Sequence, residues 1–370
     1  MTTSGSVSAS AISSEGDRTV SVRRATLQDV EMLSQIKSNA WGGADTVSWT
    51  RRWTWQFNAH PGQEGNEPSF LVAEMGGVTL GGIGWLPAVL DASGTLHRAG
   101  FACDIFVDRS AQRTGAGGAL VQRLIQECPL TIWMSASNAM VRFLVKGGFL
   151  RVHPVRYMIL PLVPGEILRP RLPGWLAPAG AFIGFPLTLA HRALRGGRRA
   201  PAGIRIETDV TFDPAWDEFV ERLGRPGLVS PRRDAAYMRW RFQQCPFGPY
   251  EMRIAKAGRE IVGLSVFRFR RTEEMTLGVL AGFHVDPERP DVARFLLAES
   301  VRAMEAGGAH AIKSLVTTRR ERRTFLREGF LPTLSTPHVF LTPEPARQAG
   351  LPLHGRHWDL TLGDVDMDFS

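Results

Sequence analysis

The stretch AQRTGAGGAL, residues 111–120, sets one arginine and three glycines between two apolar runs. The run before it, Ala99–Val107 (AGFACDIFV), is rich in β-branched and aromatic residues and predicts a strand. The run after it places Leu120, Leu124 and Ile125 at helical spacing and predicts a helix from about Gly117. A strand that feeds a glycine-rich turn at a helix N-terminus leaves backbone N–H groups and a positive dipole end pointing at one place, which suits an anion. Two familiar phosphate loops are excluded. A Walker loop needs Gly-Lys-Ser/Thr, and no lysine is present; the dinucleotide fingerprint needs a third glycine where Leu120 stands. What remains is Gln112-Arg113-Thr114-Gly115-Ala116-Gly117, a Q-x-x-G-x-G pattern just after the Val107-Asp108 strand end.

That pattern resembles the pyrophosphate loop of the GNAT superfamily of N-acetyltransferases. The surrounding order is similar too: strand, helices, strands, helix, strand, helix, strand over residues 20–160. In that order Asn138 opens a helix that stops at Gly148-Phe149. The resemblance implies an α/β mixed-sheet fold and acetyl-CoA as cosubstrate. Backbone groups of Ile105, Phe106 and Val107 would face the pantetheine, and Gln112, Arg113, Thr114, Gly115, Ala116, Gly117 and Gly118 would hold the pyrophosphate. Asp104, inside an otherwise apolar strand, matches the superfamily's acidic strand position and is the candidate general base. Asn138 would bind the pantetheine arm or a water, unless it is a plain helix cap. One departure stands out. The superfamily usually protonates the leaving thiolate with a tyrosine, and Leu144 occupies that position here.

The same order of elements recurs after residue 204. TLGVLAGFHVDPERPDVARFLL repeats strand, Val285-Asp286, loop and helix, and a second helix stops at Gly329-Phe330. The loop of this copy has a proline and no glycine, so its backbone cannot approach a diphosphate closely. Gly282 stands where the first copy has Asp104, and Phe325 where it has Leu144. The chain therefore reads as two tandem GNAT-like domains, 20–160 binding acetyl-CoA and 204–370 with a degenerate cofactor loop. They follow a disordered tail (1–19) and are joined by a Pro/Gly-rich connector (161–203).

Bulk properties narrow the partners. Of the net charge of +8, +5 falls in residues 161–203, so neither domain carries the basic excess of a nucleic-acid binder. Cys103, Cys128 and Cys245 have neither disulfide nor zinc spacing, which fits a reducing cytoplasm, and no metal site is read. The apolar part of the connector is too short and too broken by Pro and Gly to span a bilayer. With the arginines after it, 175–199 suits either peripheral membrane contact or packing between the domains. Trp41, Trp49, Trp53 and Trp55, with Arg51 and Arg52, fit an acceptor groove or a packed core stripe. Glu74, His97 and His284 are weaker base candidates. The end of the chain alternates like a strand, which would put Asp364, Asp366 and Asp368 on one face, ready for a hard cation or a cationic substrate.

Together these readings predict an acetyl-CoA-dependent transfer of acetyl to a small-molecule amine, such as an amino sugar. The tandem order with its acidic tail is similar to acyltransferases of bacterial polysaccharide pathways. Two rivals remain: an aminoacyl or long-chain acyl transferase, and a non-catalytic coenzyme-A-binding module.

Overall fold

The computed structural model describes residues 19–41, 46–163 and 199–369, apart from positions 64, 66, 135, 225 and 366. The expected tail, and residues 164–198 with most of the proposed membrane-contact stretch, lie outside the described residues. Chain order begins β1 (Ser21–Arg24), α1 (Val30–Trp41), α2 (Thr46–Trp53), β2 (Phe70–Met75), β3 (Val78–Ala92) and β4 (Thr95–Val107). It continues with α3 (Ala116–Glu127), β5 (Thr131–Met134), α4 (Asn138–Lys146), β6 (Leu150–Val152) and β7 (Tyr157–Pro161). The second set is β8 (Ile204–Glu207), α5 (Pro214–Leu223), β9 (Val229–Pro231), α6 (Ala235–Met238), β10 (Glu251–Ala257), β11 (Glu260–Arg271) and β12 (Thr276–Val285). Last come α7 (Pro290–Ala306), β13 (Ala311–Leu315), α8 (Arg319–Arg327), β14 (Leu331–Pro332), β15 (Val339–Leu341) and α9 (Pro343–Gln348).

Local chemistry sets many of the ends. Thr26 and Asp29 form a reciprocal capping box ahead of α1. Ser137 caps α4 through its side chain, and prolines open α5 and α7. The β2–β3 turn uses Gly76 and Gly77 and the β3–β4 turn Ser93 and Gly94, all at positive φ, as tight hairpins require.

Two mixed sheets result. The first runs β1-β2-β3-β4-β5-β15-β6, with β9 pairing on β3; the second runs β8-β10-β11-β12-β13-β7-β14. The two orders correspond strand for strand, with one exchange. β7, which ends the first copy, completes the second sheet, pairing β13 and β14. β15 enters the first sheet between β5 and β6. Division of the chain at 160 and 204 thus does not coincide with the division between sheets.

In the first sheet, α1 and α2 cover one face over Trp49, Trp53, Phe57, Phe70 and Phe106. α3 and α4 cover the other over Leu80, Ile83, Trp85, Leu120, Leu124, Trp133 and Leu144. Glycines of β3 make room for the first set of rings. A Cβ on Gly84 would stand 2.3 Å from the Phe57 ring.

The copies also meet through a reciprocal tryptophan pair. Trp55 and Trp240 stack with centroids 4.6 Å apart and planes 16° from parallel. Each indole N–H donates to the backbone oxygen of the other tryptophan, at 3.2 and 3.1 Å. Both lie in π-helical turns, Thr54–Asn58 and Arg239–Gln243, at corresponding places in the two copies.

The expected acidic C-terminal strand is not formed. Leu362–Asp364 is a 3-10 turn, and its acids are consumed internally. Asp364 takes two hydrogen bonds from Arg233, at 2.7 and 2.8 Å. Asp368 pairs with Arg241 at 2.5 Å and accepts from the Tyr250 hydroxyl. Carboxylates buried this deeply require such partners, so they are not offered to a cation; Asp366 lies outside the described residues.

Candidate active site

β4 and β5 run parallel and pair only over Gly100–Ala102 against Thr131–Trp133. β5 ends at Met134 while β4 runs on to Val107, so Cys103–Val107 has no strand partner on the β5 side, and this notch beside β4 is the wedge. Its far end is the loop that leads into α3. Here Gly115 has φ +92 and Arg113 φ +74, turning the chain sharply so that α3 starts at Ala116. The first amides of α3 have no intrahelical acceptor and face outward from the helix end.

The loop glycines explain themselves by what is not beside them. A Cβ on Gly115 or Gly118 would meet no protein atom within 4 Å, and one on Gly117 only Val107 Cγ2 at 3.8 Å. Packing inside the protein therefore does not demand glycine at 117 or 118. The residues present fit an anion drawn against the amides from outside, such as the diphosphate of coenzyme A. Gln112, Arg113, Thr114, Gly115, Ala116, Gly117 and Gly118 line this end, and the Thr114 hydroxyl donates to Ala111 O at 2.8 Å, bracing the turn. The second copy keeps the strand but opens α7 with Pro290, without such a cradle.

The strand beside the wedge carries a bulge. Pairing shifts from Gly82–Phe106 to Gly84–Cys103, so one extra β4 residue must be absorbed at Asp104 and Ile105. Asp104 takes φ +49, a conformation uncommon for a residue with a side chain. The bulge puts Ile105 and Val107 toward α3 while Phe106 faces α1 and α2. Asp104 faces α1 and α2 as well, where Lys37 Nζ donates to its Oδ1 at 2.9 Å and Trp49 Nε1 to its Oδ2 at 3.4 Å. Arg52 lies 3.8 Å away. Burial alone would raise the carboxyl pKa, but the charges of Arg52 and Lys37 hold it below the usual carboxylate range. β12 repeats the bulge, with a shift between Val266 and Phe267, yet carries Gly282 in place of the acid.

Among the other positions, Asn138 is the first residue of α4 and exposed; the cap is Ser137, not Asn138. Leu144 is buried in the core between α3 and the sheet, and Phe325 packs on Phe283 and Phe330. Trp49, Trp53 and Trp55 are buried core residues, whereas Trp41 is exposed beside Lys37. Glu74 is tied to Arg23. His284 is buried in the second copy.

Sequence reasoning missed Lys37, whose position in an amphipathic helix gave no sign that it turns inward. It also missed Arg233 and Arg241. The recurrence of Trp-x-Phe at 55–57 and 240–242 was the available signal for the Trp55–Trp240 contact.

Comparison with known proteins bears on this geometry. Residues 30–149 match the model of the acetyltransferase (GNAT) family. The match lies wholly within the first copy. The solved structures similar to the whole chain share its fold at low identity. A GCN5-related N-acetyltransferase from Anabaena variabilis is 13% identical, with a TM-score of 0.61 over 87% of this chain and 72% of its own. A probable N-acyltransferase from Enterococcus faecalis is 9% identical, at 0.60 over 89% and 74%. Saccharomyces cerevisiae N-myristoyltransferase, solved with myristoyl-CoA, is 12% identical, at 0.57 over 87% and 78%. No curated protein matches the sequence. The GNAT match ends at the Gly148-Phe149 stop and so spans the wedge, the loop and Asp104 within one domain.

A separate cavity of about 390 Å³ lies where the two copies meet, lined by His60, Trp85, Phe101, Arg98, Pro231 and Tyr237 among others. Burial holds the His60 imidazole down to about 3, so it stays neutral. Phe101 is three residues up the strand from Asp104, roughly 10 Å along β4. No helix among the described residues is long and apolar enough to cross a membrane.

Proposed function

We propose that the chain is an acyl-CoA-dependent N-acetyltransferase acting on a small-molecule amine. The observation that carries the reading is the β4–β5 wedge ending at outward amides and at glycines with open space above them. Acetyl-CoA would supply the activated acyl group, held by Gln112–Gly118 at the diphosphate, by backbone of Ile105, Phe106 and Val107, and by Asn138. A short acyl group is favoured because Phe106, edge-on to Trp41 and Trp49 at 6.2 and 6.0 Å, fills the space behind the bulge.

Asp104 is proposed to receive the acceptor amine and its proton. The carboxylate is ionised at neutral pH and fixed by Lys37 and Trp49. Its lowered basicity means that it takes the proton late, once bond formation has made the amine nitrogen acidic. The body of the acceptor, an amino sugar in this reading, would lie toward the cavity between the copies, with Trp85 and Tyr237 as flat apolar surfaces. The free thiols of Cys103, Cys128 and Cys245 suit work in the cytoplasm.

The test is turnover of acetyl-CoA, measured by thiol release, against a panel of UDP-amino sugars and short amines, with myristoyl-CoA run in parallel. Acceptor-dependent thiol release from acetyl-CoA is the expected result. Release from the long-chain donor alone would shift the reading to a long-chain transferase, and tight binding without turnover would leave a coenzyme-A-binding module.

A further inference from the structure

α8 has the sequence RRERRTFLR, five arginines against one acid. Its burial pattern sorts them. Thr324 and Phe325 are buried, whereas Arg319, Arg320, Arg323, Leu326 and Arg327 are exposed. Spacings of three, four and seven place these exposed residues on one face of the helix. The single acid, Glu321, is turned back to the N-terminus, where it accepts from the Thr318 hydroxyl at 2.7 Å. None of the four exposed guanidinium groups pairs with another described residue.

This arrangement works against the helix that bears it. Arg319 and Arg320 sit at the positive end of the helix dipole, and the 319/323 and 323/327 pairs put like charges one turn apart. Just beyond, the Gly329 turn leads to Leu331 and Leu334, which are 56% and 100% exposed, with Leu326 at 44%. Exposed leucines, one of them fully solvated, next to an uncompensated arginine face form a two-part surface: charge to draw it to an anionic plane, apolar side chains to enter it.

We propose that the face formed by α8 and the segment 331–334 docks on an anionic lipid surface. Four basic groups near such a surface supply most of the attraction, and the leucines reach below the headgroups. This rests on α8 and the segment 331–334 and is independent of the acyl-transfer reading and of residues 164–198.

The test is flotation of the full-length protein with phosphatidylcholine vesicles, pure or containing 30% phosphatidylglycerol. Co-flotation only with the anionic vesicles, reversed by 0.5 M salt, is expected. Arg320→Glu/Arg323→Glu/Arg327→Glu should lower partitioning at least about 100-fold, and Leu331→Ser/Leu334→Ser about tenfold. The triple glutamine variant removes like-charge repulsion, keeps the helix and should also lose binding, which guards against a folding defect. Three results would overturn the proposal: equal binding to neutral vesicles, flotation of the triple variants at the wild-type level, or retention by duplex DNA with no vesicle binding.

Discussion

Single side chains at the wedge separate binding from stability. Gly118 has open space above its Cα, so Gly118→Glu disturbs no packing and adds a favourable charge at a helix N-terminus. The expected outcome is an unchanged or slightly raised melting temperature together with a loss of acetyl-CoA affinity of at least tenfold by titration calorimetry. Asp104 is the opposite case. Asp104→Asn leaves Lys37 and Arg52 facing a neutral group, so it should cost about 3–5 kcal/mol as well as turnover. Adding Lys37→Met should restore much of the stability, read by urea melts, while thiol release stays roughly 10²–10⁴-fold down. If turnover returns with stability, Asp104 is a structural anchor and not the base. His60 supplies a pH signature. Its folded pKa lies below its unfolded value, so the unfolded chain binds the extra proton and stability falls as pH drops from about 6.5 toward 3. His60→Asn should flatten that slope, which is at most about 1.4 kcal/mol per pH unit.

At the level of elements, the exchanged strands decide what can be cut. A chain ended after Leu162 retains β5 and β6 but lacks β15, leaving unpaired edges where Val339–Leu341 should lie. Thr342 adds to the seam, its hydroxyl accepting from Thr131 N at 2.9 Å. That fragment should be insoluble alone, and co-expression with residues 199–370 should recover a soluble complex, checked by size-exclusion chromatography. Elements were the most legible part of the sequence. The strand-loop-helix at 99–127 and the Asn138 helix follow from periodicity and glycine placement, which act over a few residues. The β7–β15 exchange was not legible, since VFL and YMILP pair through backbone groups that any apolar strand offers. The Asp104 bulge was hidden for a similar reason: alternation counts residues, and a bulge is one residue that the count does not see. Asp364 and Asp368 alternate as a strand would, but Arg233 and Arg241, more than a hundred residues earlier, claim them.

For the whole molecule, the Trp55–Trp240 stack and the exchange of β7 and β15 make one body of two copies. Trp240→Ala removes a stacked ring and the hydrogen bond its indole N–H donates to Trp55 O, at the centre of the contact, and should cost about 3–5 kcal/mol. A single cooperative melt that moves as a whole would show that the copies unfold together; two separated transitions would show that they do not. The strand exchange has a further consequence in time. While the chain is being synthesised, the first copy presents its wedge and loop early, yet the slot between β5 and β6 stays open until Val339–Leu341 leave the ribosome. At ordinary elongation rates that wait is on the order of tens of seconds. The first copy is therefore born with a gap in its sheet, and its last strand arrives near the end of translation. A nascent chain stalled before residue 339 should be sticky and protease-sensitive in its first half, although every residue of the loop at 112–118 has already been made.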